Sequence, residues 1–130
     1  MTDLFETGIS DWLCAVPTSE ESVYRTTFAE RHLGNIWIRS LHGGVTGSMI
    51  ELSAEAETRK ALARDANLVI TSSSVDYLRI TKDTDLYSRT KIQRLSRRLS
   101  IVDVTCWQDD EDTFVARGIV TIKIEADQSL

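Results

Sequence analysis

Gly43-Gly44-Val45-Thr46-Gly47-Ser48-Met49-Ile50-Glu51-Leu52-Ser53-Ala54-Glu55-Ala56 is the stretch on which the fold turns. Val45, Met49, Ile50, Leu52 and Ala56 make it apolar, and charge gathers only later, at Glu57, Arg59, Lys60 and Arg64. This spacing predicts a helix over residues 43–64, ending before Asp65-Ala66-Asn67. A helix so apolar belongs inside the molecule, covered by a sheet. Everything after it reads as strand: residues 68–78, 85–95, 99–107 and 113–124, rich in Val, Ile and Thr. In the last of these Phe114, Ala116, Gly118, Val120, Ile122 and Ile124 alternate with Arg117, Thr121 and Lys123, so one face is apolar and the other wet. Gln108-Asp109-Asp110-Glu111-Asp112 before it reads as a solvated hairpin loop.

Upstream, residues 23–28 form a further strand and Gly34-Asn35 marks a turn. Residues 4–15 fit a short amphipathic helix with Leu4, Phe5, Ile9, Trp12 and Leu13 on its apolar side, broken at Pro17-Thr18-Ser19-Glu20-Glu21. A strand, a long helix and four closely connected strands make an α+β domain, an antiparallel five-stranded sheet wrapped around one long central helix. Residues 1–130 form a single domain, with 1–20 as an N-terminal helical extension. One helix cannot cover both faces of such a sheet, and its edges stay open, so self-association is expected.

Composition narrows the function classes. No apolar run approaches the ~20 residues that span a bilayer, and Met1-Thr2-Asp3-Leu4-Phe5-Glu6 lacks the basic start of a signal peptide. A cytoplasmic protein with no membrane contact is expected. Cys14 and Cys106 are too few and too far apart for a metal or disulfide framework, and are expected as buried free thiols in a reducing compartment. Neither a metal nor a cofactor is called for. The net charge of −5 argues against a general nucleic-acid binder. Residues 79–98 nevertheless hold seven basic side chains (Arg79, Lys82, Arg89, Lys91, Arg94, Arg97, Arg98) against Asp83 and Asp85. They are either solvated strand faces or a patch for a small polyanion bearing phosphates.

Chemistry concentrates at His42-Gly43-Gly44. Two glycines before a helix leave uncovered N–H groups at an end that carries roughly half a positive charge. A carbonyl oxygen gaining negative charge can be held there. Glu51 on the same helix supplies a carboxylate inside its apolar part, where a charge needs a reason. A polarising amide with a carboxylate base or nucleophile is the minimum kit for hydrolysing an acyl compound. Eight helical residues span roughly 12 Å, however, which is too far for one reacting carbon to meet both. A two-fold partner with an antiparallel helix could bring its own Glu51 to the first chain's Gly43.

Over residues 23–125 the chain resembles the hot-dog-fold acyl-CoA thioesterases of the PaaI-like (phenylacetyl-CoA thioesterase) group. The resemblance rests on Gly34-Asn35, Leu41-His42-Gly43-Gly44-Val45 with an acid nine positions after His42, Asp76-Tyr77-Leu78-Arg79 and Asp85-Leu86-Tyr87. The segments 97–109 and 115–118 also fit. It implies a thioester hydrolase splitting an acyl-CoA into free acid and coenzyme A, with no cofactor beyond the coenzyme A of the substrate. Gly43 N–H would polarise the carbonyl, Glu51 would act as general base or nucleophile, and His42 would hold the turn. Gly44, Tyr77 and Arg79 would line the substrate, and Arg97 and Arg98 would sit near the coenzyme's phosphates. The assembly implied is a homodimer with cross-subunit sites, paired into a homotetramer.

Three positions depart from the family pattern. Ile36 stands where many members carry an amide side chain six residues before the His, leaving Asn35 to fill that role or the role empty. Arg79 replaces a water-positioning Ser of some relatives, and Glu55 a hydroxyl residue. The alternative reading is a non-catalytic acyl-CoA-binding hot-dog domain acting as sensor or accessory protein. A dehydratase or hydratase acting on acyl thioesters would want a His poised as acid or base with a carboxylate, and the only other His is His32. Trp37, Leu41, Met49, Leu52 and Tyr77 are candidates either for an acyl pocket or for the core.

Overall fold

In the computed structural model, residues 8–125 are described. The chain runs through α1 (Gly8–Leu13), β1 (Ala15–Pro17), β2 (Val23–Thr26), a 3-10 turn (Glu30–His32), β3 (Leu33–Asn35) and β4 (Ser40–Leu41). Then come α2 (Gly43–Ala61), β5 (Asn67–Tyr77), β6 (Leu86–Leu95), β7 (Leu99–Trp107) and β8 (Ala116–Glu125). All pairings in the main sheet are antiparallel, in the order β1-β2-β6-β7-β8-β5, and β3 pairs with β4 apart from it. The α+β class with one long helix on an antiparallel sheet is as expected.

The main sheet has six strands rather than the expected five. The additional one is β1, in which Ala15 pairs with Thr26 and Pro17 with Tyr24. Three residues are too few to show alternation, and Pro17 suggested only a helix break. Proline is compatible with a strand at a sheet edge, where its missing N–H costs no ladder bond. Cys14, at φ 56°, turns the chain sharply from α1 into β1. The expected helix over 4–15 is thereby cut back at Leu13; residues 4–7 lie outside the described region.

Helix α2 seats Val45, Met49, Ile50 and Ala54, all essentially buried, on the inner face of the sheet. Facing them are Leu86 of β6, Val102, Val104 and Cys106 of β7, and Ala116, Val120 and Ile122 of β8. Burying an Ile or Met side chain is worth about 1.5–3 kcal/mol, so these positions hold the two layers together. Gly118 sets how closely they approach: a Cβ there would lie 2.7 Å from Ile50 Cγ2 and 3.2 Å from the Ser74 carbonyl oxygen. Two buried hydroxyl pairs fix the register of helix on sheet, Ser53 with Ser88 at 2.6 Å and Thr58 with Ser100 at 2.8 Å. The helix stops at Ala61, short of Arg64, because Leu62 swings to ψ 138°. Arg64 instead donates to the Arg97 carbonyl at 3.0 Å.

Irregularities in register between Ile70 and Ser72 of β5, and between Ile92 and Arg94 of β6, bend the sheet around the helix. At one edge, β5 pairs with β8 only, and most of its length is exposed. The two thiols differ. Cys106 is fully buried, which pushes its thiol up to about 12, whereas Cys14 is only partly covered, against expectation. The loop over 108–112 is also less free than expected, since Asp109 pairs with Lys82 at 2.6 Å and Glu111 with Arg89.

Gly118→Val is expected to overpack the Ile50 contact and to cost about 1–3 kcal/mol. A fall in the urea midpoint with an unchanged slope checks this; an unchanged midpoint would mean that the helix has room to lift.

Candidate active site

The start of α2 is capped by its own preceding residue. His42 Nδ1 accepts the Gly44 N–H at 2.9 Å, and the His42 carbonyl accepts the Val45 N–H at 2.9 Å. His42 is itself held by its N–H, which donates to the His32 carbonyl at 2.8 Å. Of the first three helical N–H groups, that leaves Gly43 without a partner among the described residues, on an exposed turn at the positive end of the helix dipole. Tyr77, at the end of β5, braces the same turn by donating its hydroxyl to the Gly43 carbonyl at 2.9 Å. The phenol fits because Gly47 has no side chain: a Cβ there would stand 3.2 Å from Tyr77 Oη.

Glu51 lies two turns along α2, following Gly43 and Gly47 at four-residue steps on one face of the helix. It is partly buried and has no hydrogen-bond or ion-pair partner among the described residues. The neighbouring acids are engaged. Glu55 pairs with Arg59 at 3.1 Å, and Glu57 accepts the hydroxyls of Ser22 at 2.8 Å and Tyr24 at 2.9 Å. Burial first, and Glu57 second, hold the Tyr24 phenol above its usual range.

Other sequence candidates are dispersed. Asn35 Oδ1 accepts the backbone N–H groups of Trp37 and Ile38 at 3.0 and 3.4 Å, so its carbonyl is engaged in shaping the exposed β3–β4 turn. Arg79 donates to the Phe114 carbonyl at 2.6 Å. Arg97 and Arg98 occupy the β6–β7 turn beside Arg64, past the far end of α2. Nineteen helical residues separate the ends of α2 by about 27 Å, so in one chain these arginines are remote from Gly43. The basic segment is also partly neutralised, Lys82 by Asp109 and Arg89 by Glu20 and Glu111. In one chain, then, His42, Gly43, Gly44 and Tyr77 come together, with Glu51 further along the same helix.

A family model for the acyl-CoA thioesterase N-terminal domain matches residues 35–122, from the β3–β4 turn into β8. The chain belongs to that family. Among curated proteins none matches it. Solved structures give the hot-dog fold. A thioesterase of Haemophilus influenzae superposes with a TM-score of 0.82 at 14% identity, covering 96% of this chain and 89% of its own. A Bacillus halodurans protein, solved with CoA, gives 0.80 at 15% identity over 93% and 78%. A phenylacetic acid degradation-related protein of Ralstonia eutropha gives 0.77 at 19% identity over 88% of each chain.

In this acyl-CoA thioesterase-family domain one feature escaped the sequence reading. A groove of about 360 Å³ lies between α1 and the start of α2, lined by Ile9, Trp12, Arg31, His42, Gly44, Val45 and Ser48. Ile9 and Trp12 were legible as an apolar helix face, but nothing in the sequence placed that face against residues 44–48. The side chains considered for a pocket lie elsewhere. Leu41 and Met49 are buried core, Leu52 packs against it, and Trp37 is 91% exposed. Among the described residues no helix is long and apolar enough to cross a membrane, and no cluster of three His, Cys, Asp or Glu is placed to hold a metal.

His42→Ala should remove the cap from α2 and cost about 0.5–2 kcal/mol, read as a lower urea midpoint. His42→Asn, whose side-chain oxygen can accept the same Gly44 N–H, should recover most of the loss. Equal losses in both variants would show that the imidazole serves the fold by packing alone.

Proposed function

We propose that this domain hydrolyses an acyl-CoA thioester, with the Gly43 N–H receiving the carbonyl oxygen of the substrate and Glu51 of a second copy acting on it. The observation that carries the reading is the Gly43 amide, which has no partner among the described residues although its neighbours at the helix start are bonded. The oxygen of a thioester gains negative charge as its carbon becomes tetrahedral, so a donor kept free and fixed beforehand favours that state over the ground state. Family membership and the CoA-containing relative support coenzyme A as the carrier. The carboxylate of Glu51 can take a proton from water, or attack the carbonyl carbon to give a transient anhydride that water then opens.

A site built across two chains is supported by three features. Glu51 lies about 12 Å along the helix from Gly43. The β5 edge is exposed and pairs on one side only. Arg97 and Arg98 lie beyond the end of α2 that an antiparallel partner helix would bring towards Gly43. On this reading a homodimer, itself paired into a tetramer, supplies each site with the Gly43 turn of one chain and with Glu51 and the arginine turn of the other.

Glu51→Gln should lower kcat for acyl-CoA hydrolysis by about two decades or more while the protein stays folded. Activity within tenfold of the unmodified protein would remove Glu51 from the reaction. Mixing this variant with Gly43→Pro tests the division between chains. Proline suits the first helical position, and His42 before it already has the extended ψ of 137° that a proline demands of its predecessor. Unfolded and refolded together, the two inactive proteins should regain up to about a quarter of full activity, since random pairing makes half the dimers mixed and each holds one complete site. A mixture as inactive as its parents, with mixed dimers verified by mass, would place both groups in a single chain's site.

Arg97→Ala with Arg98→Ala should raise KM for an acyl-CoA more than for the corresponding acyl-pantetheine ester, which lacks the nucleotide phosphates. Equal changes for the two esters would leave these arginines with no role in binding the coenzyme.

A further inference from the structure

We propose that the groove between α1 and α2 receives the acyl group of the substrate, and that Trp12 sets the size of acyl group accepted. The inference rests on the reading of Gly43 given above and names the substrate class for that site. The groove floor is Gly44, Val45 and Ser48, the residues immediately following Gly43 on α2, and its opposite wall is Ile9 and Trp12 of α1. A thioester whose carbonyl oxygen meets the Gly43 N–H has its acyl carbon within one helical turn of this floor. The acyl group and the pantetheine arm leave that carbon in different directions, and one of the two can follow the groove.

The lining decides between them. Ile9, Trp12, Val45 and Gly44 offer carbon surface, and Ile9 and Trp12 remain 44% and 41% exposed, an apolar wall with nothing among the described residues covering it. The pantetheine arm carries two amides that would need hydrogen-bonding partners in such a place. Ser48 offers one hydroxyl and His42 one ring nitrogen, its Nδ1 being taken by the Gly44 N–H, while Arg31 is engaged in holding the wall. Its Nε donates to the Trp12 carbonyl at 2.8 Å, while Nη2 reaches the Asp11 carbonyl at 3.2 Å and Cys14 Sγ at 2.9 Å. An alkyl or aryl group loses nothing by entering and gains roughly 25 cal/mol per Å² of apolar surface removed from water.

The wall is built to stay put. The Trp12 carbonyl takes a second donor, His32 Nε2 at 2.9 Å, whose proton is fixed there because Nδ1 accepts the Ala29 N–H at 3.1 Å. The indole is flanked by the Arg31 guanidinium, 5.9 Å from its ring centroid, and by the His32 ring at 5.2 Å. A six-residue helix has little stability of its own, so these contacts hold α1 over the start of α2. With Trp12 fixed, the groove of about 360 Å³ lies at the small end of ligand pockets, which run from about 300 to 1,000 Å³. It suits a compact apolar acyl group, a short chain or a single ring, and disfavours a longer chain.

The decisive quantity is the ratio of kcat/KM for decanoyl-CoA to that for butyryl-CoA, because a loss of folded protein or of a catalytic group cancels in a ratio. Trp12→Ala should raise this ratio more than threefold, and a smaller rise overturns the proposal. Should that variant not fold, Trp12→Phe is read instead, with a rise of more than twofold expected and a smaller one overturning. Calorimetry on the Glu51→Gln protein separates the groove from the reaction. Adding Trp12→Ala should tighten decanoyl-CoA binding more than threefold over butyryl-CoA, while free coenzyme A binds as before. A matching change for free coenzyme A would put the pantetheine arm in the groove and refute the acyl assignment. If the unmodified protein hydrolyses neither ester yet binding depends on Trp12 in this way, the groove stands and hydrolysis falls. If it hydrolyses both and neither measurement responds to Trp12, hydrolysis stands and the groove falls.

Discussion

The contact of Ile50 with the backbone at Gly118 is the constraint from which the rest of the molecule follows. A side chain on β8 at that point would stand the helix off the sheet, since a Cβ would meet Ile50 Cγ2 at 2.7 Å. With hydrogen there, Met49, Ile50 and Ala54 sink to complete burial, and the Ser53–Ser88 and Thr58–Ser100 pairs close at hydrogen-bonding distance. Once that stripe is fixed, the rotation of α2 about its axis is fixed too. The stripe bearing Gly43 and Gly47 is turned towards the end of β5, where Tyr77 can brace the first turn. Packing deep in the core thus determines where a backbone N–H points at the surface.

That first turn shows how a helix start can be both stable and available. A helix leaves its first N–H groups without internal partners, and buried examples are normally capped. Here a histidine does the capping, through its ring nitrogen and its carbonyl, and reaches two of the three leading N–H groups. The backbone N–H of His42 is held by the carbonyl of His32, which belongs to the same turn that anchors α1 through the Trp12 carbonyl. The start of α2, the turn before β3 and the wall of the groove are therefore one hydrogen-bonded unit. A change in any of these three places is expected to be felt at the others.

The sequence carried the long helix and the late strands clearly because each repeats its period often enough to be read. Eleven residues of β5 or ten of β8 show their faces several times over, and the burial of Ala116, Gly118, Val120, Ile122 and Ile124 follows the alternation. Short elements carry no such repetition. The three residues of β1 went unread because Pro17 signals a break and says nothing about pairing with Tyr24. At the site, His42, Gly43, Gly44 and Glu51 were legible because helix starts and helix faces are local properties. Whether Glu57 was occupied was not, since its partners are Ser22 and Tyr24, more than thirty residues away. The groove was hidden for the same reason. Its two walls are linked by Arg31 and His32, whose bonds to Trp12 cross some twenty residues of chain.

Charge and polarity along α2 bear on why one chain would not suffice. The amide that would draw electron density lies at one end, and the arginines free to meet phosphates lie past the other, about 27 Å away. An extended acyl-CoA could in principle run the length of such a helix, but Glu51 sits part-way along and would repel its phosphates before they arrived. On the proposed two-fold arrangement the conflict disappears. There the helices would run antiparallel, so the partner's arginine turn would come to the Gly43 end from outside, and the partner's carboxylate would approach the thioester carbon from the side opposite its own phosphate contacts. On that arrangement helix length would set the spacing between the reacting carbonyl and the phosphate anchor, and a chain of this size would provide both by meeting a second copy of itself.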